Sequence, residues 1–171
     1  MPKIAGFRLE TCWGDLMHDL YLGVGGVAIS SGLVELMEHR CICMPDGSAF
    51  ASDTALLSAL REDLKQWCKR TDRRNPSGMF THASLGRAHK TDYPELSWRF
   101  KAAHVNTMLP WMAELTAAVV DMSSERSRTR ACLFWALAQF VEILDHAGRF
   151  LSDSEFTQVQ RVWGICFCLH L

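Results

Sequence analysis

Charge of one sign is the first thing this sequence lacks, because 18 Lys and Arg stand against 19 Asp and Glu and leave a formal charge of −1. That balance removes any global reason to expect a polyanionic partner, so a case for nucleic acid has to rest on a local patch. Also lacking is an uninterrupted apolar run of the roughly 18 to 20 residues that crosses a bilayer. No basic stretch followed by an apolar core and a small-residue cleavage site opens the chain, and no repeat or low-complexity tract interrupts it. The cysteines do not form an even, loop-borne set. There are seven, at Cys12, Cys41, Cys43, Cys68, Cys132, Cys166 and Cys168, several within apolar helical stretches, which is the pattern of reduced thiols. These absences predict a soluble intracellular chain, nuclear or cytoplasmic, with no membrane contact.

What is present is core material. The 171 residues are 49% hydrophobic and include six Trp and nine Phe, enough for one domain over residues 1–171. From Trp13, the apolar residues Leu16, Met17, Leu20, Val24, Val27, Ala28 and Val34 recur at three- and four-residue steps, predicting a helix over 14–39. Pro45, Asp46 and Gly47 break that pattern. Ser52 or Asp53 can then cap a helix carrying Leu56, Leu57, Leu60, Leu64 and Trp67 and ending near Arg70.

Residues 71–95 hold Pro76, Gly78, Gly86 and Pro94 without a sustained period, predicting one long, partly mobile connection that forms an internal seam. Beyond it, Trp111, Met112, Leu115, Ala118, Val119 and Met122 continue a face begun near Phe100, with Pro110 placed to bend or divide the helix. Leu133, Leu137, Phe140, Val141 and Leu144 mark another, which Gly148 can end. Ser152 and Glu155 have capping-box spacing for a last helix with Phe156, Val159, Val162, Trp163 and Cys166 as its buried stripe. Its apolar end at Cys166, Phe167, Cys168 and Leu169 points to a partner surface or a missing domain. The prediction is therefore all-α: an irregular bundle of five or six helices with a short extended N-terminus and one long loop.

The segment with most chemical content is Cys12-Trp-Gly-Asp-Leu-Met-His-Asp-Leu-Tyr-Leu-Gly-Val24. On a helix, Asp15, His18 and Asp19 fall on neighbouring positions, where they could converge on a divalent ion or on one another. The structural alternative is a capping Asp bonded to His18, with Asp19 solvated. Gly23, Gly25 and Gly26 invite a phosphate-loop reading, but no Lys-Ser/Thr pair follows, and close helix packing accounts for them better.

Asp15-Leu16-Met17-His18, followed by Leu20, Leu22 and Gly23, resembles the D-x-x-H element of eukaryotic cut-and-paste DDE transposases of the CACTA and Plavaka-like kind. The stretch from Thr11 to Gly25 is similar to that of transposase-derived proteins, and Arg99-Phe100-Lys101-Ala102-x-His104 is similar to a segment downstream in them. The resemblance implies a parent enzyme in which three carboxylates of an RNase H-like core hold Mg²⁺ ions for DNA transposition. Only Asp15 and His18 carry across, so the chain is expected to be a catalytically inactive fragment needing no cofactor of its own, from the helical region after the second carboxylate. The rival expectation is a helical protein-interaction module with no catalytic role.

Between Lys65 and Lys90 lie Lys69, Arg70, Arg73, Arg74 and Arg87, with Asp72 the one acid, interleaved with Trp67, Phe80, His82 and His89. Phosphates need such a cationic surface and bases can stack on its aromatics, so this stretch is the candidate for weak DNA binding, against the alternative of a solvated loop. Cys166, Cys168 and His170 form C-x-C-x-H, which lacks the second ligand pair of a zinc site unless Cys41 and Cys43 supply it. Buried thiols are the default reading, and no metal site is assigned.

Overall fold

In a computed structural model of the chain, the residues described are 17–44, 46–89, 92–147 and 151–168, without the side chains of 17–19, 163 and 165–168. The order is a π-helical segment Met17–Gly25, α1 Gly26–Glu38, α2 Asp53–Arg70, a 3₁₀ turn Ala83–Leu85, α3 Ala102–Ala118, α4 Glu125–His146 and α5 Asp153–Cys168. The fold is all-α, with no strand among the described residues. Helix α3 is its hub, packing on the π segment, α1, α2 and α4, while α5 closes against α4.

The π segment and α1 form one continuous helical rod, within which the sequence pattern slips. A 3.6-residue period puts Leu20 and Val24 on one face, yet the two are not equally buried. Leu20 is 3% exposed and Val24 37%. After the slip the buried face of α1 is carried by Ile29, Leu33, Leu36 and Met37 together with Ala28 and Val34. Gly25 lies where the rod crosses α3: a Cβ there would come within 2.9 Å of Val105 Cγ1 and 2.8 Å of the Leu20 carbonyl. Close packing therefore accounts for Gly25. By average composition Leu20–Glu38 is long and apolar enough to span a membrane, with mean hydropathy 1.6. Ser30 and Ser31 interrupt the apolar run, and in the fold most of this helix is buried.

Helix α2 follows its sequence signals closely. Ser52 Oγ accepts from the Ala55 N–H at 3.1 Å, and Leu56, Leu57, Leu60, Leu64 and Trp67 are buried. Its end is a Schellman turn, with Asp72 at φ 53° and the Arg73 N–H donating to the Cys68 carbonyl at 2.9 Å. Pro110 lies inside α3 without dividing it, although the helix stops at Ala118 and leaves Met122 exposed beyond it. Ser152 and Glu155 form the expected box: the Ser152 N–H donates to Glu155 Oε2 at 2.7 Å, and the Glu155 N–H to Ser152 Oγ at 3.3 Å. Phe156 is 52% exposed, which removes it from the α5 stripe; Val162 is buried, and Trp163, Cys166 and the terminal residues lie outside the description.

The connection after α2 is packed on the helices. Phe80, Leu85, Leu96 and Phe100 are core residues, and the Phe80 ring stacks on both Phe100 and Trp111. Ser30 Oγ in α1 donates to the Leu85 carbonyl at 2.6 Å. The expected seam is thus bonded to the bundle, and one core runs from Leu20 to Val162.

Candidate nucleic-acid interface

Three of the five cations singled out in the sequence have carboxylate partners. Arg70 Nη2 reaches Glu114 Oε2 at 2.8 Å, which ties α2 to α3. Arg73 lies 3.8 Å from Asp145 Oδ2 and donates to Asn106 Oδ1 at 3.4 Å. Arg87 sits at the other end of the connection, 2.7 Å from Glu38 Oε1, with a second bond to the Asp92 carbonyl. Lys69 and Arg74 are exposed and make no ion pair among the described residues. Trp67 and Phe80, read as stacking partners for bases, are core residues instead. His82 faces Asp53 at 3.9 Å.

A tighter group of cations forms where the connection meets the start of α3. Arg61 of α2 clamps the chain there: Nε donates to the Gly78 carbonyl at 2.7 Å, Nη1 to Asn75 Oδ1 at 2.8 Å, and Nη2 to the Pro76 carbonyl. The clamp holds this strip against the N-terminus of α3, where His104 Nδ1 accepts from the Lys101 N–H at 3.3 Å. Burial, and then the positive charges of Arg74, Arg61 and Lys101, hold the His104 imidazole below the ordinary histidine range. A hydrogen bond with the Arg99 backbone opposes them. Arg74, Arg99 and Lys101 are exposed, so the local field is positive and open to solvent.

Trp98 belongs to the same surface. It is 77% exposed, with the Arg99 guanidinium carbon 5.9 Å and Lys101 Nζ 5.2 Å from its ring centroid. Sequence reasoning missed this group because an aromatic residue is read first as core; the alternation of Leu96, Trp98 and Phe100 was the available signal.

Asp15 and the side chain of His18 lie outside the described residues. Among the described residues no group of three or more His, Cys, Asp or Glu could hold a metal ion. Cys41, Cys43, Cys68 and Cys132 are free thiols, and the side chains of Cys166, Cys168 and His170, which form C-x-C-x-H, lie outside the description. No family model, curated protein or solved structure matches the chain.

Proposed function

We propose that the chain is a transposase-derived helical segment that contacts nucleic-acid phosphates through Arg74, Arg99 and Lys101 and does not cut DNA by itself. The observation that carries the phosphate reading is the group of exposed cations at the start of α3, where Arg99 and Lys101 flank the Trp98 ring and Arg74 and Lys101 both act on His104. The likeness of residues 11–25 to the D-x-x-H element supports the transposase origin. The same likeness supports the absence of cleavage, because Asp15 and His18 are one acid and one imidazole where two-metal chemistry uses a set of carboxylates.

Binding to duplex DNA should be weak and largely sequence-independent, with Kd of roughly 10⁻⁴ to 10⁻⁶ M. Three contacts give a log–log salt slope of about −3, and Arg74→Ala with Lys101→Ala reduces it by about 2. Arg70→Ala leaves it unchanged, since that guanidinium already serves Glu114. No binding up to about 10⁻⁴ M at low salt, or a slope indifferent to the double substitution, overturns the reading. So does Mg²⁺- or Mn²⁺-dependent cleavage that disappears in Asp15→Ala.

A second reading, a protein-interaction module, rests on Trp135 and Phe156, large apolar side chains left exposed on α4 and α5. Loss of a defined complex on Trp135→Ala, with nucleic acid making no difference, favours it.

A further inference from the structure

Trp98 sits at the corner of a tight turn, Ser97 to Phe100, closed by the Phe100 N–H donating to the Ser97 carbonyl at 2.9 Å. The Ser97 N–H is itself bonded to the Ser84 carbonyl at 2.9 Å. Leu96 and Phe100, two residues to either side, are buried. The backbone that carries the indole is therefore fixed on both flanks while the ring stands in water. Holding a large apolar ring out from an ordered turn gains nothing for folding, but it prepares a stacking face whose ordering entropy is already spent.

We propose that Trp98 is a base-stacking platform and that the partner of this surface is single-stranded nucleic acid. The proposal rests on the phosphate-binding reading and narrows it. In duplex DNA the base faces are covered by their neighbours, so the cations could be used and the indole could not. In a single strand the bases are free to stack on an aromatic ring while the backbone runs past cations beside it. Arg99 and Lys101 are placed for that second task, each within 6 Å of the ring centroid, and Arg74 and Lys101 both act on the His104 imidazole. Exposed cation–π contacts are weak, and weaker than base stacking, so a base displaces whichever cation covers its face and that cation turns to the flanking phosphate.

The test compares an oligothymidylate with a duplex of equal length on the full chain at one salt concentration. The single strand should bind several-fold more tightly and quench part of the tryptophan fluorescence. Trp98→Ala should weaken single-strand binding by about 5- to 100-fold, the range expected for losing one stacked base, and leave duplex binding within about twofold. Trp98→Phe should keep most of the affinity but lose that share of the quenching. Because Trp98 is mostly exposed, an unchanged circular dichroism spectrum will confirm that both variants fold. Equal loss on both forms in Trp98→Ala, or a single strand bound no better than the duplex, overturns the stacking role and leaves phosphate binding standing. If neither form binds, both readings fall together. Binding to an acidic peptide but to neither nucleic acid overturns them in favour of a protein partner.

Discussion

Gly78 lies flat against the ring of Phe100, so close that a Cβ built on it would stand 2.5 Å from Cζ and 2.6 Å from Cε1. That approach brings the clamped strip over the start of α3 and so sets Arg74 beside His104. The Phe100 ring has no easy retreat, since it is buried and stacked on Phe80. Gly78→Ala should therefore cost about 1–3 kcal/mol, the usual penalty of an extra carbon in a packed site. Urea unfolding followed at a helix wavelength measures it. A change below a few tenths of a kcal/mol would show that the strip is loose.

Inside the bundle, Arg130 of α4 and Glu35 of α1 meet at 3.0 Å, Nη1 to Oε1, with only 5% and 24% of their side chains exposed. The contact is an ion pair without hydrogen-bond alignment, and Arg130 Nε has no hydrogen-bond partner among the described residues. Ser127 Oγ accepts from Nη2 at 3.1 Å and is the better-formed bond. Glu35→Ala would strand a buried guanidinium and should cost about 3 kcal/mol, the lower end for breaking such a pair because Glu35 is partly wet. Replacing both, Glu35→Leu with Arg130→Met, should cost less than the single change, since the desolvation penalty goes with the charges. The opposite order in thermal melts would mean that the pair is net stabilising.

How much of this was legible in the sequence depends on whether local chemistry decided the outcome. The α2 limits and the Ser152–Glu155 box were readable because caps and periodicity act within one turn. The close approach of Gly25 to Val105 was not, since it joins residues eighty positions apart. Buried Arg130 hid within a polar run, its burial being conditional on Glu35 of another helix. Of the five basic candidates, Arg70, Arg73 and Arg87 look like phosphate ligands until their carboxylates are located. Trp98 had the converse problem, a core-type residue that the turn faces outward.

His104 gives the fold a pH dependence of definite sign. Its folded pKa is depressed from 6.5, so on acidification the unfolded chain takes up a proton before the folded one does. Stability is then fully present above about pH 6.5 and falls as pH drops from there through the depressed folded value, because the unfolded state binds more protons in that window. Protonation also ends the ability of Nδ1 to accept from Lys101. His104→Gln should flatten this limb of the stability–pH curve. Titrating the imidazole by NMR with saturating oligothymidylate should move its pKa upward as phosphates offset Arg74 and Lys101. No movement would place the phosphates elsewhere.

Arg73 and Arg74 are adjacent, and the structure gives their side chains different surroundings. Arg73 is drawn into a network in which Asn106 Nδ2 donates to Asp145 Oδ1 at 3.0 Å and to Tyr21 Oη at 3.1 Å, while Asn106 Oδ1 accepts from Arg73. Four parts of the chain meet there: the π segment, the connection, α3 and α4. Burial is the main reason that the Tyr21 hydroxyl titrates above its ordinary value, so the neutral phenol stays available as an acceptor. The Arg74 side chain has no such engagements among the described residues. Arg73→Ala should accordingly lower stability by about 1 kcal/mol, as expected for one half-exposed charged hydrogen bond, and leave the salt slope of nucleic-acid binding unaltered. Arg74→Ala should do the reverse, with stability unchanged and a slope shallower by about 0.9 on duplex or 0.7 on a single strand. Asn106→Ala should destabilise more than either, because it strands three partners at once. If Arg73→Ala changes the slope and Arg74→Ala does not, the phosphate-binding face has been placed on the wrong side of the turn after α2.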